Sequence, residues 1–260
     1  MKKFTLVAFL MFLSVIAFAQ KPVKFGVYVG YASPMGDMGQ ADEIKTSGVN
    51  AFEDMKNYAL MFKDGKQGYA SMGFNLGFDV TYTLPVEGLG VFGGVDFFYN
   101  SNSSNILDAY DSYAKYWIAF NPAVHQECNF SAPNFMNIPI LFGVNYQHNF
   151  NNIVGIFGEA GVGPNFRLIS GGEENFKYVG LPDEKYTYSY DSATTFAFKI
   201  GAGVMMWDKM SIVLDYYSLG SAKIKGTLKY EWGEDSDDAD FKGDNAISAS
   251  ELVVRVGYHF

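Results

Sequence analysis

Apolar residues recur at every second position in stretch after stretch from residue 23 to the C-terminus, and helical periodicity is nearly absent. A period of two marks β-strands with two unlike faces. In the first stretch Phe25, Val27, Val29 and Tyr31 alternate with Lys24, Gly26, Tyr28 and Gly30; in the second, Phe74, Leu76, Phe78, Val80 and Tyr82 alternate with Asn75, Gly77, Asp79 and Thr81. The same scheme recurs around Val95 and Phe97, over 135–147, over 153–168 (with Glu159 and Arg167 on the small or polar face), over 196–206 (Lys199), around Ile212 and Leu214 (Asp215), and over 252–260 (Arg255). Eight strands are therefore predicted.

Their connections alternate in length. Residues 85–90, 148–152 and 207–210 are short enough for hairpin turns, whereas 34–68, 102–134, 170–191 and 225–248 are long. A compact soluble sandwich rarely carries four loops of about 20 to 35 residues, while outer-membrane barrels have short periplasmic turns and long external loops. Alternation alone suits a soluble sandwich or lipocalin-like barrel equally well. The bulk of the faces favours the membrane barrel: Gly and ionisable residues on one face match a narrow lumen, and unbroken apolar residues on the other match lipid. Tyr31, Tyr82, Tyr99, Tyr146, Trp207 and Tyr258 near strand ends match two interfacial belts.

The start of the chain agrees. Lys2 and Lys3, the apolar run from Phe4 and the Ala17-Phe18-Ala19 end read as a secretory signal peptide cleaved near Ala19. The domains expected are thus 1–19, the leader, and 20–260, the barrel. No later run is long and apolar enough for a spanning helix, and the mean hydropathy of −0.01 shows apolar residues diluted along the chain. The net charge of −9 becomes about −11 without the two leader lysines, so nucleic acid is not an expected partner. Cys128 is the single cysteine and can form no internal disulfide.

Taken with the signal peptide and the strands, the Asn137-Ile138-Pro139-Ile140 segment and the terminal Arg255-Val256-Gly257-Tyr258-His259-Phe260 resemble the PorT-like outer-membrane β-barrel family of Gram-negative bacteria. The likeness runs over the whole mature chain. It implies an integral outer-membrane protein, sometimes labelled a porin, with Leu252, Val254, Val256, Tyr258 and Phe260 acting as the signal read by the barrel-assembly machinery. It implies no single reaction.

Candidate chemistry follows from the predicted faces. Lys24, Asp79, Asp96, Glu159, Arg167, Lys199, Asp215 and Arg255 share the lumen, where opposite charges would pair in a structural plug or line an ion path. An eight-stranded barrel is filled by its side chains, which favours the plug. His125 and Cys128 lack the further ligands of a zinc site. His125 is also the only external histidine beside Ser131 and Glu127, too little for a rim hydrolase. Glu231, Glu234, Asp235, Asp237, Asp238 and Asp240 miss the calcium-loop spacing and read as a solvated loop. In the long loops Phe52, Met55 and Phe62 at helical spacing, and Tyr116, Trp117 and Phe120, are candidate contact residues.

The expectation is an all-β protein: an eight-stranded antiparallel up-and-down transmembrane β-barrel with short periplasmic turns and four long external loops. It is expected to be non-enzymatic, without cofactor or metal, and to present its loops for binding, adhesion or assembly. Its expected partners are outer-membrane lipid, the assembly machinery and an envelope or secretion protein. A narrow pore for small solutes or ions, and an outer-membrane hydrolase or lipid-modifying enzyme, are the alternatives.

Overall fold

The computed structural model describes residues 23–40, 68 and 70–260. The leader and most of the first long connection, including Phe52, Met55 and Phe62, lie outside the described residues.

Eleven strands form one antiparallel sheet among the described residues: β1 (Val23–Met35), β2 (Ala70–Thr83), β3 (Leu89–Asn102), β4 (His125–Ser131), β5 (Phe135–Asn149), β6 (Val154–Ile169), β7 (Gly172–Tyr178), β8 (Glu184–Tyr190), β9 (Ala193–Met206), β10 (Met210–Trp232) and β11 (Asp235–His259). Eight of them run β1-β2-β3-β5-β6-β9-β10-β11, and β11 pairs with both β10 and β1, so this set closes into a ring. Closure leaves no unpaired ladder edge around the ring. Its strands span 13 to 25 residues, beyond the roughly 9 to 11 that a tilted strand needs to cross a bilayer.

The alternation read from the sequence becomes the inside and outside of this ring. Val27, Val29, Tyr31, Leu76, Phe78, Val144, Ile200, Val254 and Val256 are exposed on the outer surface. Asn75, Asp79, Asp96, Glu159, Lys199, Asp215 and Arg255 are buried within it. In the short β9–β10 connection Trp207 and Asp208 both have positive φ, the pairing that a two-residue hairpin turn with the handedness of twisted strands requires.

The sheet does not stop at the ring, and here the expectation of four long loops is corrected. β4, β7 and β8 continue the sheet from the outer arm of β10, in the order β10-β8-β7-β4. A helix, α2 (Ser104–Phe120), packs with them, and a short one, α1 (Gly36–Gly39), lies against β1 and β11. The acidic stretch from Glu231 to Asp240 is the tip and outer arm of the β10–β11 hairpin rather than a loop, with Tyr230 opposite Asp237 and Lys229 opposite Asp238. An antiparallel extension thus stands beyond the ring, on the side away from the short turns.

The ring interior also departs from a uniformly polar lumen. Beyond the charged residues, toward the extension, Phe98, Phe135, Leu219, Ile224, Ile247 and Met38 pack as an apolar core. Met38 is carried in by α1, whose Asp37 carboxylate accepts hydrogen bonds from the Ser248 amide at 2.9 Å and the Ser248 hydroxyl at 2.7 Å.

Candidate functional site

Arg255 organises the ring interior. It lies on the inward face of β11, between the outward Val254 and Val256, and three strands bring carboxylates to it. Its Nη1 is 3.2 Å from Asp96 on β3, its Nη2 is 2.7 Å from Glu159 on β6, and its Nε is 2.6 Å from Asp215 on β10. The first two contacts are aligned hydrogen bonds, whereas Nε and the Asp215 carboxylate meet as an ion pair without that alignment. Lys199 on β9 reaches the same Glu159 oxygen at 3.0 Å. The guanidinium lies over the Tyr28 ring, Cζ to centroid 4.0 Å, and the Tyr217 hydroxyl donates to Asp96 at 3.0 Å.

Two glycines make this packing feasible. A Cβ on Gly257 would come within 2.6 Å of the Tyr28 ring, and one on Gly201 within 1.8 Å of Asp215 Oδ1. Both are close approaches that any side chain would prevent.

The eight residues expected to form one lumen network divide three ways. Asp79, Asp96, Glu159, Lys199, Asp215 and Arg255 belong to the cluster, with the Tyr28 hydroxyl bonded to Asp79. Arg167 is separate, higher in the ring, where it donates to the backbone carbonyls of Ile247 and Gly220, both at 2.9 Å. Lys24 sits at the short-turn end, lining a cavity of about 250 Å³ with Tyr28, Glu159 and His259. His259 and Ser211, far apart in the sequence, meet there at 3.1 Å, but Ser211 is fully buried and offers no hydroxyl to the cavity. The charged cluster closes the cavity above: every member of the ion network has a side chain at most 6% exposed.

Outside the ring, α2 packs on the outermost strand β4. Trp117 is only 6% exposed, stacked on His125 with ring centroids 3.8 Å apart and packed against Phe176 and Tyr178. Its selection as a contact residue is therefore corrected: it is core of the extension. Tyr116 and Phe120 do face outward, at 43% and 74% exposure. His125, paired through Nδ1 with the Trp117 carbonyl at 2.6 Å, is held in this aromatic packing. Glu127 pairs with Lys177 at 2.6 Å and Ser131 accepts from the Glu173 amide at 3.0 Å, so His125 and a nucleophile do not converge. Cys128 is buried, and among the described residues no three His, Cys, Asp or Glu are grouped to hold a metal ion. No helix among them is long and apolar enough to cross a membrane.

One carboxyl of the extension has an unusual environment. Burial pushes Glu174 up to about 7 from an ordinary 4.5, against the pull of the Tyr188 hydroxyl and helped by Glu184. A carboxyl whose folded-state pKa is raised binds its proton more tightly folded than unfolded, so the contribution of Glu174 to stability is fully present below pH 4.5 and is lost as pH rises through 7. The extension is expected to lose on the order of 3 kcal/mol of this contribution across that interval. Hydrogen exchange of β4, β7 and β8 at about pH 5 and about pH 8 should show faster opening at the higher pH, and Glu174→Gln should flatten the difference. An unchanged exchange pattern in that variant would contradict the assignment.

Comparison with known proteins gives the wider setting. A family model for the outer membrane protein beta-barrel domain matches residues 5–260. No curated protein matches the chain. Among solved structures, a major outer membrane protein from Thermus thermophilus is 15% identical, with 92% of this chain and 100% of that one covered and a TM-score of 0.46. Ail, the attachment invasion locus protein of Yersinia pestis, is 14% identical, with 91% and 98% covered and a TM-score of 0.36. The outer membrane protein OprG from Pseudomonas aeruginosa is 11% identical, with 91% and 95% covered and a TM-score of 0.39. The match over nearly the whole sequence shows that the chain belongs to the outer membrane protein beta-barrel domain family, whose place is the outer membrane.

Proposed function

We propose that the protein is a stoppered eight-stranded transmembrane barrel that acts through the extension it holds outside the bilayer, as a binding or assembly platform rather than a pore or an enzyme. The short turns and both chain ends then face the periplasm, and α2 with β4, β7 and β8 faces out. One observation carries the reading: the ring interior is filled twice over, by the Arg255 ion cluster and by the apolar core beyond it. An eight-stranded ring has little interior volume to begin with, and these two layers occupy it. Among the described residues, the part left to meet a partner is the extension, with Phe120 and Tyr116 exposed side by side on α2, ring centroids 6.5 Å apart. The PorT-like resemblance points the same way, toward assembly with an envelope or secretion complex.

Planar-bilayer recording of the refolded protein tests this. The expected result is no steady conductance from protein whose insertion has been verified by protease protection of the ring. A steady conductance that changes when Asp96 is replaced by Asn would make the lumen a pore and the charge cluster its constriction.

A further inference from the structure

We infer that the aromatic face of the extension is a docking shelf for an arginine side chain of a partner protein, with Glu184 as its counter-charge. In the strand pairings Trp232 stands opposite Glu184 and Tyr230 opposite Tyr186, and Tyr178 follows Phe176 on the same face of β7. Glu184 accepts the Tyr178 hydroxyl at Oε2 and the Tyr186 hydroxyl at Oε1, both at 2.6 Å. The rings around it lie in pairs, Tyr178 with Trp232 at 5.4 Å between centroids and Tyr186 with Tyr230 at 5.0 Å. Helix α2 covers the β4 side of this face through Trp117, which packs on Phe176 and Tyr178. Past Trp117 the four rings and Glu184 are only half-buried.

Charge is sorted between the two faces of the extension. Asp235 is opposite Trp232 and Asp237 opposite Tyr230, so both belong to the aromatic face, and both are exposed. Glu174 shares that face, opposite Tyr186. The lysines of β7, β8 and the outer arms 225–232 and 235–242 all fall on the reverse face, where Lys177, Lys185 and Lys229 pair with Glu127, Glu173 and Glu231. No arginine occurs in these segments. Among the described residues Glu184 has no ion-pair partner. Its two oxygens offer about four acceptor positions, of which the tyrosine hydroxyls use two, so donors of a bound cation still have a place.

The shape of the face selects the cation. Rings that touch each other in pairs, inclined at 54° and 42°, form a shelf rather than the enclosing cage that a quaternary ammonium fills. A guanidinium is flat: it lies on a Trp or Tyr ring by cation–π attraction while the N–H groups of its edge reach a carboxylate. Arginine is also enriched at protein interfaces, where lysine is depleted. The shelf adjoins the exposed pair on α2, because Tyr178 contacts His125 and His125 contacts Phe120. One aromatic surface thus runs from Tyr116 and Phe120 to Trp232, with its carboxylates at the β10–β11 end, and its electrostatic complement is a basic protein segment.

This inference rests on the extension being the part that meets a partner, and the two readings fail separately: conductance through the ring bears on the stopper, and peptide binding does not depend on it. Fluorescent glycine–serine peptides carrying three spaced arginines, or three citrullines in their place, are titrated by anisotropy against the full chain refolded in nanodiscs of zwitterionic lipid. The expected result is at least about tenfold tighter binding of the arginine peptide. Glu184→Gln, whose amide oxygen still accepts from a tyrosine, and Trp232→Leu should each weaken it at least about tenfold. Glu173→Gln with Glu231→Gln, which removes two acids from the reverse face, should change it by less than about twofold. Equal binding of the arginine and citrulline peptides by the unaltered protein overturns the proposal, whether or not the variants fold. Equal weakening by the two sets of acid substitutions also overturns it, since the attraction would then belong to the net charge of −9. Displacement of the peptide by tetramethylammonium at a lower concentration than by methylguanidinium would overturn arginine as the occupant. A conducting ring with the peptide preference retained would remove the stopper and keep the shelf.

Discussion

Replacing Arg255 with Leu should leave a chain that scarcely refolds into lipid vesicles. The guanidinium contacts carboxylates from three different strands, β3, β6 and β10, and its removal leaves Lys199 as the one remaining cation of the cluster. Breaking a buried ion pair by deleting one partner costs about 3 to 5 kcal/mol, because the surviving charge has neither water nor a counterion. Total stabilities are about 5 to 15 kcal/mol, so the loss is a large part of the whole. Arg255→Lys should recover only a fraction: an ammonium is a single point charge, whereas three nitrogens of the guanidinium fork are used here. Adding Asp96→Asn and Asp215→Asn to Arg255→Leu should restore part of the stability, since the charges left stranded are then neutral. The urea midpoint of vesicle-inserted protein, followed by tryptophan fluorescence, measures all three. A midpoint for Arg255→Leu equivalent to within about 1 kcal/mol of the unaltered protein would remove the cluster from any account of how the ring is held.

The ring is legible in the sequence because its strands carry the same division of labour throughout. Residues alternate between the outer surface of the ring and its interior, and that parity alone places Asp96, Glu159, Lys199, Asp215 and Arg255 on one side. Parity does not give depth along the barrel axis. Depth depends on register and tilt, and Arg167, eight residues past Glu159 on β6, is displaced by about 26 Å along the strand. It therefore bonds backbone carbonyls of β10 and β11 instead of joining the cluster. The apolar layer is hidden for a similar reason: Phe98 and Leu219 sit at inward positions that look like the rest of an apolar strand.

The extension escapes a reading by period because its strands bury little. In β7, Gly172 and Phe176 are the buried positions among Glu, Asn and Lys, and in β8 it is Tyr188 alone. Such strands gain their place from cross-strand aromatic contacts, Phe176 with Tyr186 and Tyr186 with Tyr230; β8 does alternate, Tyr186, Tyr188 and Tyr190 against Thr187 and Ser189, but over too few residues to match the ring strands. A signal for α2 is present: Tyr110, Tyr113 and Trp117 follow at intervals of three and four, the spacing of one helical face. Tyr110 and Trp117 are buried and Tyr113 packs beside them.

The outer surface of the ring allows a second large effect, and its profile along the barrel axis separates lipid from water. Val254 is 54% exposed and Ile200 is 58% exposed, each in a stripe of apolar neighbours on adjoining strands: Tyr31 and Leu214 beside Val254, Ala160 and Tyr216 beside Ile200. In water an exposed valine or isoleucine is replaceable by arginine at a cost within about 0.5 kcal/mol. On the lipid face of a barrel the same change costs about 2 to 4 kcal/mol at the midplane and about 0 to 1 near the interfaces. Val254→Arg and Ile200→Arg should therefore each lower the urea midpoint by an amount of the larger class, and Phe260→Arg, at the short-turn end of the same stripe, by much less. Phe120→Arg provides the control, since that side chain is more exposed than any of them but stands on α2, outside the ring. The order of the four decides, not any one value. If burial against protein set the cost, Phe120 and Ile200 would respond alike, both being exposed. If lipid sets it, depth in the bilayer governs, and only the mid-ring pair is sensitive. Equal tolerance at Val254, Ile200 and Phe120 would mean that the apolar surface of the ring does not face hydrocarbon.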